Sequence, residues 1–286
     1  MGFLKSFTVK YLLLLVACMA ASVLHAQELY PYTEPASNMP THSISAKLGA
    51  MYGRDRHDNR LVQRYSPEIM FGLNKAWMVH AAVTFSDMHQ QNFSGESVRL
   101  YAKYRFFSID DVHKHFRMAA FAQGSYSRRA LDYNELNLLG DHSGVQAGLI
   151  ATQLVNKLAV SGTASVVELL DGSRWDKALE ETHAWHAFTY SLSAGYLLLP
   201  INYTSYKQTN VNLYAELLGS RNLNFPSEKG FIDLAPSLQF IFNSTSKLNL
   251  GYRFQLAGDV VRMSERSFMI SYERIFLNAL PRKKAP

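Results

Sequence analysis

The stretch Lys247–Leu256, KLNLGYRFQL, carries the pattern that decides the fold. Its even-numbered positions from 248 to 256 are Leu, Leu, Tyr, Phe and Leu, and the odd-numbered positions between them are Asn, Gly, Arg and Gln. Successive side chains of a β-strand point to opposite sides, so this alternation predicts a strand with one apolar and one polar face.

The same alternation recurs along the chain, for example in Val98–Phe106 and Phe188–Leu198. The alternating runs cover about 10–14 residues, the length of a tilted transmembrane strand, whereas strands of soluble proteins average about 5–6. The pattern therefore favours an all-β fold, a single antiparallel transmembrane β-barrel of about 12 strands, over a soluble β-sandwich. The predicted strands are 43–53, 63–73, 76–87, 96–107, 115–128, 143–154, 157–169, 184–198, 209–220, 231–242, 247–258 and 265–276.

The connections support this count. They are short after strands 2, 6 and 10 and long after strands 3, 5, 7 and 9, which is the asymmetry between periplasmic turns and outer loops. Two connections on the short side, 108–114 and 199–208, are longer than expected, so the count is open by one hairpin. Pro67 and Pro236 fall inside predicted strands and, lacking an N–H, are expected at a bulge or a rim.

The ends of the chain differ from the alternating region. Lys5, Lys10 and the apolar run 11–23 predict a signal peptide over residues 1–26, cleaved after Ala26; lipidation at Cys18 is the alternative. Residues 27–42 predict an extended N-terminal lead-in at the periplasmic mouth. Residues 43–276 form the barrel, and residues 277–286 form a basic C-terminal tail.

Composition excludes several functions. Cys18 is the only cysteine, so cleavage after Ala26 leaves no thiol for disulfides, thiol catalysis or metal binding. The formal charge of +6 is spread along the chain, which disfavours nucleic-acid binding. No cofactor motif is present.

The chain resembles bacterial outer-membrane β-barrels, in particular the transporter-like group named after the MetA pathway of phenol degradation. The resemblance covers nearly the whole chain after residue 26 and includes EPASNMP, from Glu34 to Pro40. Tyr272 and Phe276 resemble the terminal aromatic signal that the barrel-assembly machinery reads, although ten residues follow Phe276. The resemblance implies passive passage of small molecules across the outer membrane.

Charged residues on the polar faces are the candidate lumen-lining site. Basic residues outnumber acids there, which suggests a lumen that prefers anions; the alternative is a narrow barrel filled by salt bridges. The basic candidates are Lys47, Arg99, Lys103, Arg105, Arg117 and Arg253, and the acidic ones are Glu68, Glu216 and Asp233.

Other constellations have simpler explanations. The histidines fall in or beside outer loops without metal-site spacing, and Asp141-His142-Ser143 lacks a hydrolase motif, so neither a metal site nor catalysis is expected. Aromatic residues near strand ends predict two girdles. The predicted function is a channel or transport-related barrel in contact with outer-membrane lipid, for small polar or anionic solutes. The alternatives are a non-conducting barrel whose outer loops bind a metal, ligand or partner, and thirdly a membrane hydrolase. The histidines are His57, His89, His142, His183 and His186; the girdle residues are Trp77, Tyr104, Phe106, Tyr196, Phe242, Tyr272 and Phe276 at one end, and Tyr52, Tyr65, Phe85 and Tyr126 at the other.

Overall fold

The computed structural model describes residues 30–56, 59–89, 92–111, 114–129, 133–170, 183–201, 205, 207–225 and 227–281. These residues form twelve antiparallel strands that close into one barrel, with each strand paired to its neighbours in sequence and β1 paired to β12. The strands are β1 (Ser43–Arg54), β2 (Leu61–Gly72), β3 (Trp77–Ser86), β4 (Ser94–Asp110), β5 (Lys114–Ser127), β6 (Gly144–Val155), β7 (Leu158–Leu169), β8 (His186–Leu199), β9 (Asn210–Asn222), β10 (Gly230–Phe242), β11 (Ser246–Gly258) and β12 (Arg266–Phe276). The all-β barrel of twelve strands is confirmed.

The strand boundaries agree with the alternation to within three residues. The largest difference is in β4, which continues to Asp110 because a register shift between Arg105 and Phe107 lets the ladder with β5 extend. Only residues 111–113 therefore separate β4 from β5, and the extra hairpin that the apparent length of this connection left open is not needed.

The expectation for the two strand prolines was wrong in detail. Pro67 pairs continuously with β1 through Leu48, and Pro236 pairs continuously with β9 through Ala215. On their other sides the ladders with β3 and β11 skip Ser66–Pro67 and Ala235–Pro236. Each missing N–H is thus accommodated by a short gap in one ladder, without a bulge at the proline.

The outer surface of the barrel is an apolar belt. Leu100, Leu149 and Leu192 are more than half exposed, and their parity on each strand is opposite to that of the buried polar residues. An apolar surface of this extent on a soluble monomer would be unusual, whereas in a membrane it contacts lipid. The predicted girdle residues at the short-turn end are all exposed on this belt, and Tyr52 and Tyr65 pack edge to face near the other end.

Within the described ranges, no helix has the length and apolar character needed to cross a membrane.

Candidate functional site

The nine residues that the sequence predicts to line the lumen, Glu68 included, lie on the inner face of the barrel. Lys103, Glu216 and Asp233 are fully buried, Arg117 is nearly so, and Lys47, Arg99, Arg105 and Arg253 are partly buried on the same parity. Their partners could not be read from the sequence pattern.

The described part of the lead-in, residues 30–42, runs inside the barrel toward the short-turn end. Lys103 on β4 holds it most directly, because its ammonium donates to Glu34 Oε2 at 3.1 Å, to the Pro35 carbonyl at 2.7 Å and to the Ser37 carbonyl at 2.9 Å. A buried lysine requires such partners, and all three come from the lead-in.

Further contacts attach the lead-in around the wall. The Ala36 amide donates to Thr152 Oγ1 at 2.9 Å, and Arg117 Nη1 donates to Ser37 Oγ at 2.8 Å. On the opposite side, Glu216 accepts from the Tyr32 amide at 3.0 Å and from Thr33 Oγ1 at 2.6 Å. The lead-in therefore spans the lumen between β4–β6 and β9.

The lead-in leaves the lumen at the short-turn end. Asn38 Nδ2 donates to the Lys75 carbonyl at 3.3 Å, in the turn between β2 and β3. Gly72 is required beside it, since a Cβ at this position would collide with the Pro40 carbonyl oxygen. The prediction of a lead-in at the periplasmic mouth is thus too shallow: the segment reaches deep into the barrel.

A second segment, the outer-mouth loop (residues 133–142), enters from the opposite end. Asp141 binds Arg64 of β2 and accepts from His89 Nε2 at 2.8 Å, and Arg64 also donates to Glu96 at 3.2 Å. Gly140 has a φ of +147°, and a Cβ at this position would lie only 3.0 Å from side-chain atoms of Arg64 and Glu96. A side chain there would be strained and crowded.

The loop is also held by apolar packing and by the far wall. Leu136 and Leu138 form a buried cluster with Val167, Leu169 and Trp185. Glu135 pairs with Arg253 Nη2 at 3.0 Å.

A chamber remains between the lead-in and the outer-mouth loop. It has two lobes, of about 260 Å³ and about 280 Å³. One lobe lies against β1–β3 and β12, and the other against β4–β10. Both lobes are lined by Tyr32, Thr33, Glu34, Arg99, Tyr101, Glu135, Asn137, Leu139 and Arg253.

Most of the chamber's charges are paired. Arg99 Nη2 lies 3.3 Å from Glu68 Oε1, and Lys47 Nζ lies 4.0 Å from Glu68 Oε2. Arg253 binds Asp233, which also binds Arg262. The salt-bridged alternative therefore describes these contacts better than an unpaired basic cluster. Glu34 and Arg262 were missed because neither lies on an alternating strand.

The environment of the inserted segments shifts their pKa values. Burial alone would raise the pKa of Glu34, but the Lys103 ammonium, helped by His80 and Lys47, holds it below the ordinary value. Burial likewise opposes ionisation of Asp141, yet Arg64 and His89 keep its pKa far below the usual range. Burial lowers the pKa of His142. Glu34 and Asp141 are therefore anionic, and His142 neutral, near pH 7.

The histidines and the contiguous Asp141-His142-Ser143 do not converge on one point. His142 Nδ1 bonds to the Asn137 backbone, and Ser143 Oγ accepts from the Ser127 amide at 2.9 Å. No group of three or more His, Cys, Asp or Glu side chains arranged for a metal occurs among the described residues. His57 lies outside them.

Taken with its apolar belt, the closed barrel places the chain in the class of outer-membrane β-barrels. It is similar to the outer-membrane channel COG4313 from Pseudomonas putida F1, with a TM-score of 0.58 and 11% identity over 87% of this chain and 100% of that one. It is less similar to the KdgM porin (TM-score 0.49, 10% identity) and the NanC porin (TM-score 0.49, 12% identity), each over 81% of this chain and 98% of the other. No family model and no curated protein matches the chain. At these identities the likeness concerns the fold.

Proposed function

We propose that this protein is an outer-membrane channel for small polar solutes, anionic ones included, that pass by diffusion through a chamber bounded by the lead-in and the outer-mouth loop. The observation that carries the proposal is the chamber itself: a polar barrel that served only as a scaffold would have no need of about 260 and 280 Å³ of adjoining space at its centre. The likeness in fold to a channel agrees with this.

The pairing of charges supports only a modest selectivity. Fixed charges select ions when they are unpaired in the pore, and here Glu68, Asp233 and Glu135 neutralise much of the basic wall. The transporter-like group resembled in sequence would fit this role, and membership of it is part of the proposal.

The test is planar-bilayer recording of the purified chain, with a heat-denatured sample of the same preparation as control. Discrete current steps with a weak preference for chloride over potassium are expected. If the folded chain shows no steps, a non-conducting barrel with ligand-binding outer loops replaces the channel.

We propose also that residues 1–26 are removed. Intact mass of the membrane-extracted protein is expected to correspond to a chain beginning at Gln27, and a diacylated or triacylated chain beginning at Cys18 would contradict this.

A further inference from the structure

Methionine is distributed unevenly over the barrel. Eight methionines follow residue 26, and seven of them line cavities inside the wall. Met51, Met88, Met263 and Met269 line the first lobe of the chamber, and Met39, Met70 and Met78 line a smaller cavity near the short-turn end. Met118 alone has the outward parity.

The four methionines of the first lobe lie in one sector of the wall. Met51 on β1 and Met269 on β12 are direct register partners and both face inward. Met88 and Met263 belong to the outer connections after β3 and β11. The outward face uses Leu, Val, Ile, Phe and Tyr, so methionine is not simply the apolar residue of this chain. Unbranched thioether side chains form adaptable apolar surfaces that fit several ligand shapes.

The floor of the same lobe is polar. Lys47 and Arg99 line it together with the carboxylates of Glu34 and Glu68, and the fully buried Lys103 pairs with Glu34 from outside the lobe. Of the two cations that line the floor, Lys47 is the more weakly paired.

One floor group is open to a solute, and a second lies enclosed beside the lobe. The ammonium of Lys47 reaches Glu68 only at 4.0 Å, beyond hydrogen-bond distance, and its side chain is 25% exposed. The hydroxyl of Tyr101 has no hydrogen-bond partner among the described residues, although Tyr101 is only 7% exposed. An ammonium and a hydroxyl are both donors, and a carboxylate accepts from donors.

The floor and the methionine surface are joined along one strand. Lys47, Gly49 and Met51 share the inner face of β1, and four residues of strand span about 13 Å. A Cβ on Gly49 would meet nothing closer than the Ser66 carbonyl at 3.8 Å, so the wall between the two ends is open.

We propose that this lobe binds small monocarboxylates with an apolar body, the carboxylate at Lys47 and the body against Met51, Met269, Met88 and Met263. The inference rests on the proposed function for its route of access, but binding at the lobe can be measured without conduction. Burial of each methylene contributes about 0.8 kcal/mol, which corresponds to roughly fourfold in affinity.

The experiment compares hexanoate with gluconate, two six-carbon monocarboxylates that differ in the polarity of the body. Binding to the purified chain is measured by titration calorimetry, and block of the channel current is measured in bilayers. Hexanoate is expected to bind at least about tenfold more tightly than gluconate. Equal binding of the two by the folded chain would overturn the proposal.

Paired variants separate apolarity from sulfur chemistry. Met51→Gln with Met269→Gln should remove the preference for hexanoate, and Met51→Leu with Met269→Leu should retain it. If the leucine pair loses binding as the glutamine pair does, and the wild type binds silver ions instead, the thioethers serve a soft metal and the proposal fails. Absence of current steps together with hexanoate binding would reject the channel alone; current steps with no hexanoate preference would reject this site alone.

Discussion

At the scale of single residues, Lys103 determines the position of the lead-in. Its side chain is fully buried on a transmembrane strand, yet each of its three acceptors belongs to residues 34–37. Arg99, four residues earlier on β4, shares its parity and donates instead to two wall residues, Gln123 at 3.1 Å and Glu68 at 3.3 Å. The two cations therefore form a natural pair for comparison.

Replacing Lys103 by Met should loosen the lead-in. The substitution leaves Glu34 without its closest cation, at a cost of about 2–3 kcal/mol, less than for a fully buried pair because Glu34 is 37% exposed to the chamber. A cysteine at Ala36, which is fully buried, reports the change through its rate of maleimide labelling. The rate should rise at least tenfold in Lys103→Met and remain near the reference in Arg99→Met; equal rates in both would show that Lys103 does not anchor the segment.

The two faces of β11 should differ in tolerance. Leu250 lies on the outer face of β11, so Leu250→Arg should destabilise the barrel in a membrane by about 2–4 kcal/mol if it lies near the midplane. Arg253→Gln should cost less, because Arg262 still pairs with Asp233 at 2.6 Å after the change. Urea unfolding in lipid vesicles measures both, and similar losses of free energy of unfolding would indicate a wrong register for this strand.

At the scale of elements, the outer-mouth loop should respond to pH. Docking lowers the pKa of both His142 and Asp141, so the docked loop binds protons less readily than the released loop. Acid therefore favours release. Loosening should begin as the pH falls below the ordinary histidine value of about 6.5 and deepen below about 3.9, the ordinary aspartate value.

A nitroxide label on a cysteine at Leu139, which is 49% exposed, provides the measurement through its mobility in electron paramagnetic resonance. Mobility should increase between pH 7.5 and pH 5. His142→Gln keeps a neutral hydrogen-bonding side chain and should abolish this part of the change. A label that is equally mobile at both pH values would contradict the assignment of His142.

The strands could be predicted because the alternation that defines each strand lies within its own residues. The positions 248–256 show the two faces of β11 without reference to any other part of the chain. The gaps beside Pro67 and Pro236 could not be predicted in the same way, because they depend on which neighbour lies on the proline's nitrogen side. Length and parity are local properties, whereas ladder defects belong to pairs of strands.

At the scale of the whole molecule, the content of the lumen was the least predictable feature. The lead-in shows no alternation, and Glu34 meets Lys103 only because the barrel closes around both of them. Parity predicts which face of a strand a cation occupies, but it gives no information on the non-strand segments that neutralise the cations. Inserted segments of this kind are recognised through long-range contacts, which a one-dimensional pattern does not contain.

These contacts change what charge reversal should do to conduction. In the double variant Arg99→Glu and Lys103→Glu, the new carboxylates face Glu68 and Glu34, the partners of the original cations. Repulsion replaces attraction at both positions. The destabilisation is larger at position 103, where the new carboxylate faces Glu34 of the lead-in, because Lys103 is completely buried. The wall becomes acidic and the lead-in is expelled at the same time.

Two effects are therefore expected in bilayer recordings. The reversal potential in a potassium chloride gradient should change sign toward cation preference, because the two substitutions lower the net charge of the wall by four, and the unit conductance should rise because the lumen loses its insert. The single variant Arg99→Glu keeps Lys103 and its three acceptors in the lead-in. It should shift selectivity in the same direction without raising the conductance. A double variant that conducts like the wild type in both respects would mean that the ions pass elsewhere than between β4 and the lead-in.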